Sequence, residues 1–442
     1  MVGGVPPSQR VGPASGRRPL DRRAFLRLAG TSAAGGVLAA CSPGGSGSRG
    51  VRPVRLGYVS PQSGPFVSFG EADGFVLDDV RARLADGLKL GRRTYPVEII
   101  LKDSQSDPDR AATVAGDLLS GEQIDLMLTS STPETTNPVA DVCERRGVPC
   151  ISTFTPWQSH YFGRKGDPDR PFRWTYHFYW GLEDVIQVFT DIWGAVPTNK
   201  VVGALWPDDP DGHAWSDAQR GFPPVLNKLG YQVVDPGRYR GDGDDYSKII
   251  RRLREAGAEI LTGVPTPPDF ATFWKQAGEQ GLRPKVASMG RALLFPAFIE
   301  AMGPTAEGLT IAAGWSPSHP YRSSLTGASA ATMAGEYTRR TERQWTQPIG
   351  FAHALFEVAI DVLRRAGTPD DRQGIVRAIA ATELDTIVGR VSWANGPLPN
   401  IAKTPLVGGQ WRRGSGFPFE LAIVSNRAHP EIGLTGQLGA IT

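Results

Sequence analysis

Of its 442 residues only three are cysteine: Cys41, Cys143 and Cys150. They make no Cys-x-x-Cys pair, and no His/Cys cluster has the spacing of a zinc site. There is no P-loop, no nucleophile elbow and no His-Glu-x-x-His, and the glycines after the first expected strand do not form Gly-x-Gly-x-x-Gly. The sequence therefore calls for no cofactor, no metal and no catalytic residue. The six histidines are scattered. A Ser-His-Asp set need not be close along a chain, so a hydrolytic enzyme stays as an alternative. No apolar run reaches the ~20 residues that cross a bilayer. Charge of one sign is scarce as well. The formal charge is +3; residues 1–40 hold six Arg and one Asp, or +5, so the remainder carries 3 − 5 = −2. A slightly acidic body argues against nucleic acid as a partner.

What is present begins at the N-terminus. Arg17, Arg18, Arg22, Arg23 and Arg27 precede a short, weakly apolar stretch from Leu28 to Ala40. Basic start, short apolar middle and small residues before a boundary describe a secretory signal. Asp21-Arg22-Arg23-Ala24-Phe25-Leu26-Arg27 resembles the twin-arginine export motif, with Asp21 where Ser or Thr is usual. Leu38-Ala39-Ala40-Cys41 resembles a bacterial lipobox, whose cysteine takes a lipid. The expectation is a signal over 1–40, lipidation at Cys41, a Gly/Ser-rich tether over 41–51 and a place on the extracytoplasmic face of the cell membrane. In that oxidising compartment Cys143 and Cys150 have two readings: a disulfide across a short loop, or two buried free thiols.

The remaining ~390 residues suit two domains rather than one. Strand-like runs at 54–59, 97–101, 124–128 and 148–152 alternate with helical spacing at 69–90, 107–120 and between the last two strands. This βαβ series implies a parallel sheet covered on both faces. The pattern pauses over 153–174, rich in aromatics and Pro. A second series then begins with helices at 181–193, 214–229, 245–256 and 270–280 and strands at 200–206, 231–234, 259–264 and 285–288. The tail reads as a strand at 308–313, helices at 326–345, 349–366 and 370–381, and strands at 388–393 and 405–411. It is too helical for a third domain and is expected to complete the first two.

Several segments resemble, in order, the type 1 periplasmic-binding-protein family in its Leu/Ile/Val-binding branch, over about residues 52–425. Val54-Arg-Leu-Gly-Tyr-Val-Ser-Pro-Gln-Ser-Gly-Pro65 with Phe69-Gly70, Lys102-Asp-Ser-Gln-Ser-Asp-Pro108, Thr129-Ser-Ser-Thr132, Gly147-Val-Pro-Cys-Ile-Ser-Thr-Phe-Thr155, Lys275-Gln-Ala-Gly-Glu-Gln-Gly-Leu282 and Gly389-Arg-Val-Ser-Trp393 carry the likeness. The resemblance implies an α/β fold of two Rossmann-like lobes joined by three crossovers, which close on a ligand by hinge motion. Lobe 1 is expected at 52–174 plus 310–385 and lobe 2 at 175–309 plus 386–442. The implied partners are a small-molecule solute, ABC permease subunits and, through Cys41, the membrane.

Open parallel sheets bind ligands beyond the carboxyl ends of their strands. That selects Ser130, Ser131 and Thr132, whose hydroxyls and helix-start N–H groups suit a carboxylate. The resemblance places a ligand serine here and backbone or hydroxyl contacts at Phe154 and Thr155, with Thr153 as alternative. Trp157 has two readings, stacking on a flat ligand or covering the core. Ser63 and Phe69 border the cleft. Asp208 is a candidate for an ammonium group or a solvated loop acid, and Asp269 a weak candidate that would ordinarily cap its helix. Aromatics at these loops tilt the solute toward an amino acid or related small apolar or aromatic carboxylate. The function class expected is the solute-binding lipoprotein of an ABC importer; a ligand-sensing receptor subunit of the same fold is the alternative. For the anchor, Cys41→Ser is expected to move the protein from the membrane to the soluble fraction on cell fractionation, and unchanged membrane association would refute it.

Overall fold

The computed structural model describes residues 51–241, 243 and 245–441, so the signal, Cys41 and all but the last residue of the expected tether lie outside the described residues. From Val51 onward the alternation read from the sequence is realised. β1 (Val54–Ser60) leads through a 3-10 turn into α1 (Asp73–Arg83). A hairpin of β2 (Leu88–Leu90) and β3 (Arg93–Tyr95) precedes β4 (Val97–Asp103). Then come α2 (Pro108–Gly121), β5 (Leu126–Ser130), α3 (Pro133–Arg146), β6 (Cys150–Thr153), α4 (Trp157–Tyr161) and β7 (Thr175–Phe178). α2 begins where expected because Asp107 accepts the Arg110 N–H at 2.7 Å and Pro108 fills the first helical position. α3 ends at Gly147, which takes the left-handed conformation (φ 66°) that terminates helices.

The second lobe runs through α5 (Leu182–Gly194), β8 (Val201–Leu205), α6 (Pro210–Trp215), α7 (Phe222–Lys228), β9 (Gln232–Val234) and α8 (Ser247–Glu255). It continues with β10 (Ile260–Gly263), α9 (Pro267–Glu279), β11 (Val286–Met289), α10 (Pro296–Met302) and β12 (Thr310–Ala313). The chain returns to the first lobe for α11 (Ala330–Thr341), α12 (Pro348–Ala366), α13 (Arg372–Ala380), the hairpin β13 (Glu383–Thr386) with β14 (Gly389–Ser392), and β15 (Ile401–Ala402). β16 (Val407–Arg413) and β17 (Phe419–Ser425) end in the second lobe.

Two sheets result, ordered β15-β7-β6-β5-β1-β4 and β17-β16-β12-β11-β10-β8-β9. The first is parallel throughout; in the second β16 alone runs against the others, antiparallel to both β12 and β17. β5, β6, β7, β10, β11 and β12 are buried at every residue, as strands covered by helices on both faces must be. The chain passes between the lobes three times, near 179–181, 314–320 and 403–406.

Pairing redraws the lobe limits. β7, read as the opening of lobe 2, joins the first sheet, and β12, read as part of lobe 1, joins the second. β15 likewise returns to the first sheet inside the 386–442 segment. The expected helix at 69–90 stops at Arg83, because Asp86-Gly87, with Gly87 at φ 84°, turns the chain into the β2–β3 hairpin. The expected helix at 214–229 is two helices, α6 and α7, folded so that Trp215 and Phe222 stack with centroids 4.7 Å apart.

The cysteine pair is a correction. Cys143 on α3 and Cys150 at the start of β6 are free thiols, with no disulfide between them. Both are buried in the apolar layer between the first sheet and α2–α3, with Val114, Leu118 and Val139. Burial, and then the hydrogen bond to Cys150, push the Cys143 thiol well above its ordinary pKa. They act there as small hydrophobic side chains.

One crossover is held at close range by a glycine. A Cβ on Gly350, in the first turn of α12, would lie 2.4 Å from the ring of Trp315. Gly→Ala in a helix ordinarily stabilises by about 1 kcal/mol, whereas overpacking costs about 1–3 kcal/mol. Gly350→Ala is therefore expected to destabilise the fold by about 1 kcal/mol net, and so to lower the urea midpoint. A raised midpoint would show that Trp315 yields freely.

Candidate functional site

The carboxyl ends of both sheets face one another. From the first lobe and its crossover come Phe69, Thr132, Phe154, Pro156, Tyr179 and Trp180. From the second come Val185, Asp211, Trp215, Val264, Gly290, Arg291, Leu294, Ile311 and Ala312. Together they line a cavity of about 30 Å3, room for about two water molecules, so the two lobes pack closely against one another here. The lobes are closed on it: the Phe69 and Phe295 rings meet edge to face at 5.0 Å across the cleft.

The polar end is built around Arg291, which directly follows β11 and is 5% exposed. Its Nη1 donates to Glu134 Oε1 at 3.0 Å, from the first turn of α3 in the opposite lobe. Nη2 donates to Asp209, the N-cap of α6. Asp211 Oδ2 lies 3.5 Å from Nη1. Burial opposes the guanidinium charge, but Asp209, Glu134 and Asp211 outweigh it and hold the Arg291 pKa above its ordinary value. Asp211 is pushed up to about 7, by burial first; Arg291 opposes this, and Glu134 and Asp209 add to it.

Several buried polar atoms of this region have no hydrogen-bond partner: Arg291 Nε, Glu134 Oε2, Asp211 Oδ1, Ser131 Oγ, Thr132 Oγ1 and the indole nitrogens of Trp180 and Trp215. Buried polar groups in folded proteins are nearly always paired. A concentration of unpaired ones round one cavity marks a place where a ligand supplies the partners.

Of the residues singled out from the sequence, Phe69, Thr132 and Phe154 line the cavity. Phe154 is a buried aromatic at φ 70°, a conformation that costs energy in a bulky residue and concentrates at functional sites. Ser130 ends β5, buried, and Ser131 follows it with its hydroxyl unpaired. The structure does not bring the others to the cavity wall. Thr153 Oγ1 donates to the Phe178 carbonyl and Thr155 Oγ1 to the Ser131 carbonyl, both at 2.7 Å, so they fasten strand ends together. His177 adds to this frame: its Nε2 faces the Thr155 carbonyl at 2.8 Å, and burial pushes its pKa down to about 3. Trp157 covers a satellite core with Tyr161 and Ile401, its Nε1 donating to Glu183 Oε1 at 3.0 Å. Ser63 is exposed and donates to Asp103. Asp208 is exposed and pairs with His213 at 2.7 Å. Asp269 is buried, accepting from Tyr246 at 2.9 Å and Thr266 at 2.7 Å at the start of α9.

Sequence reasoning missed Arg291, Glu134, Tyr179 and Trp180, and in the acidic loop after β8 it selected Asp208 rather than Asp209 or Asp211. The strand-end rule was enough to reach Arg291, which follows β11, and Asp209 and Asp211 flank Pro210 just beyond the selected Asp208. Glu134 sits two residues past the selected Thr132.

Asp211 generates a pH prediction. Its folded pKa is raised above the unfolded value, so its contribution to stability is fully present below about pH 4 and is lost as pH rises through about 7. Asp211→Asn is expected to remove this slope, at most about 1.4 kcal/mol per pH unit between pH 4 and 7. Urea titrations of both proteins at pH 5 and 8 measure it, and parallel pH profiles would contradict the raised value.

Comparison with known proteins agrees with this architecture. The model of a family described as periplasmic binding protein matches residues 53–412. An amino acid binding protein of Pseudomonas aeruginosa is 25% identical over 258 residues, 57% of this chain and 64% of that protein, so under two thirds of the relative's length is spanned. A leucine-binding protein of Thermotoga maritima superposes with a TM-score of 0.69 at 18% identity, over 85% of this chain and 99% of that one. The ABC transporter solute-binding protein of Rhodopseudomonas palustris, in complex with 3,4-dihydroxybenzoic acid, superposes with a TM-score of 0.67 at 16% identity, over 84% and 98%. With a family match over most of its length and the type 1 arrangement of two lobes, this chain belongs to the periplasmic binding protein family.

Proposed function

We propose that this protein is an extracytoplasmic solute-binding protein that captures an amino acid or a related small apolar or aromatic carboxylate between its lobes and delivers it to an ABC permease. One observation carries the reading: unpaired buried donors and acceptors from both lobes converge on a cavity walled by Phe69, Phe154, Tyr179 and Trp215. An aromatic wall and a polar end suit a solute with an apolar body and a charged head, which the lobes must part to admit. Relatives described as amino acid binding, and a fold neighbour holding a dihydroxybenzoic acid, lie in the same range of chemistry. The lining holds one carboxylate, one guanidinium, the hydroxyls of Thr132 and Tyr179 and two indoles, and we read it as a site for capture rather than for bond-making. Attachment to the membrane rests on Cys41 and the sequence around it.

A thermal-shift screen of the purified protein against amino acids, amides, small aromatic acids and polyamines tests this. A solute at 100 times its Kd should add about 2.7 kcal/mol of stability. Ser131→Ala is expected to weaken the shift, since one hydroxyl bond to a charged group is worth about 1.5–3 kcal/mol. Failure of every solute to move the melting curve, together with detectable turnover, would replace the reading with an enzyme.

A further inference from the structure

We propose that the group this cleft requires of its solute is a protonated primary amine, received beside Asp211 and Glu134, and that a carboxylate on the solute is dispensable. This rests on the solute-binding reading above and narrows it.

The argument begins with charge. Three carboxylates, Glu134, Asp209 and Asp211, surround a single guanidinium, Arg291; Asp211 and Arg291 line the cavity, and the other lining residues are uncharged. Both Nη atoms of Arg291 are occupied, Nη1 by Glu134 and Asp211 and Nη2 by Asp209. Of its five N–H donors Nε and one on Nη2 are left, and three carboxylates already offset the single guanidinium charge. The start of α3, where helix N–H groups would favour an anion, already carries Glu134 in its first turn. An anion entering here meets acids on both sides of the cleft.

The free acceptors point the same way. Asp211 and Glu134 approach the same Nη1, so their carboxyl groups are neighbours, and each keeps one buried oxygen without a partner. The Asp211 side chain is 5% exposed and lines the cavity. The Ser131 and Thr132 hydroxyls, also unpaired, accept as readily as they donate. An ammonium group carries three N–H donors and no acceptor, which matches this set. Beyond the acids, Trp180 and Trp215 line the cavity, packed on Tyr179 and Phe222, and supply apolar wall for the body of the solute.

The test is isothermal titration of the purified protein at pH 7.5 with two matched series: phenylalanine, 2-phenylethylamine and 3-phenylpropanoate; leucine, 3-methylbutylamine and 4-methylpentanoate. The amine of at least one series is expected to bind as tightly as its amino acid or tighter, and the matching acid at least tenfold more weakly. Asp211→Asn is expected to weaken the amine at least tenfold and to narrow the gap to the acid. Glu134→Gln gives a second variant, and circular dichroism melts establish that each is folded. Acids that bind as well as the amines, or folded variants that leave the ratio unchanged, overturn the amine requirement and leave solute binding standing. Absence of binding by all six compounds overturns both.

Discussion

Closing the two lobes carries the guanidinium of Arg291 out of water. An isolated charge in such a place is costly, and it persists only with partners that compensate it. Those partners come from both sides: Asp209 and Asp211 from the second lobe, Glu134 from the first. The ion cluster therefore belongs to the closed form as much as to either lobe. A parting of the lobes would have to break the Arg291–Glu134 pair, so the electrostatic part of any such movement falls at this point. A solute that satisfies the remaining oxygens of Glu134 and Asp211 acts on the same balance.

Much of the fold was legible because it depends on short-range rules. Asp107-Pro108 starts a helix through a side-chain cap and a fixed φ, and nothing distant is needed to see it. Aliphatic runs such as Leu126–Ser130 announce buried parallel strands. β7 was not legible: Thr175-Tyr-His-Phe178 has no aliphatic run, and its histidine is made acceptable in a core only by the Thr155 carbonyl and the Ser152 hydroxyl. β15 is two residues long, and its identity as a strand exists only in its pairing with His177 and Phe178. Alternation along a chain does not state which sheet a strand joins, and for that reason the lobe limits drawn near 175 and 310 were displaced.

The site was legible by position and not by chemistry. Looking beyond strand ends leads to Thr132 and Phe154, which line the cavity, and to Ser131 beside them. It does not distinguish a side chain aimed inward from one aimed out, and Asp208 and Asp211 differ in that respect alone: one pairs with His213 in solvent, the other is buried. Arg291 looked like any loop arginine, because its partners lie 157 and 82 residues away and burial is not written in the residue itself.

The cavity and the hinge share residues, and this links recognition to motion. Tyr179 and Trp180, which wall the cavity, are the first crossover. The Tyr179 N–H donates to the Ala402 carbonyl at 3.1 Å, beside the third crossover, where Lys403 bridges Glu183 and Asp184 at 2.8 and 2.7 Å. The second crossover passes so near that a Cβ on Gly314 would lie 2.9 Å from the Phe351 ring and 3.2 Å from the Trp180 indole nitrogen. A solute touching Trp180 therefore presses on the connections about which the lobes turn. Interiors packed this closely shift between discrete arrangements rather than deform by degrees. The aromatic wall and the ion cluster thus belong to one packed unit, with Trp180 on the first crossover and Arg291 between the lobes.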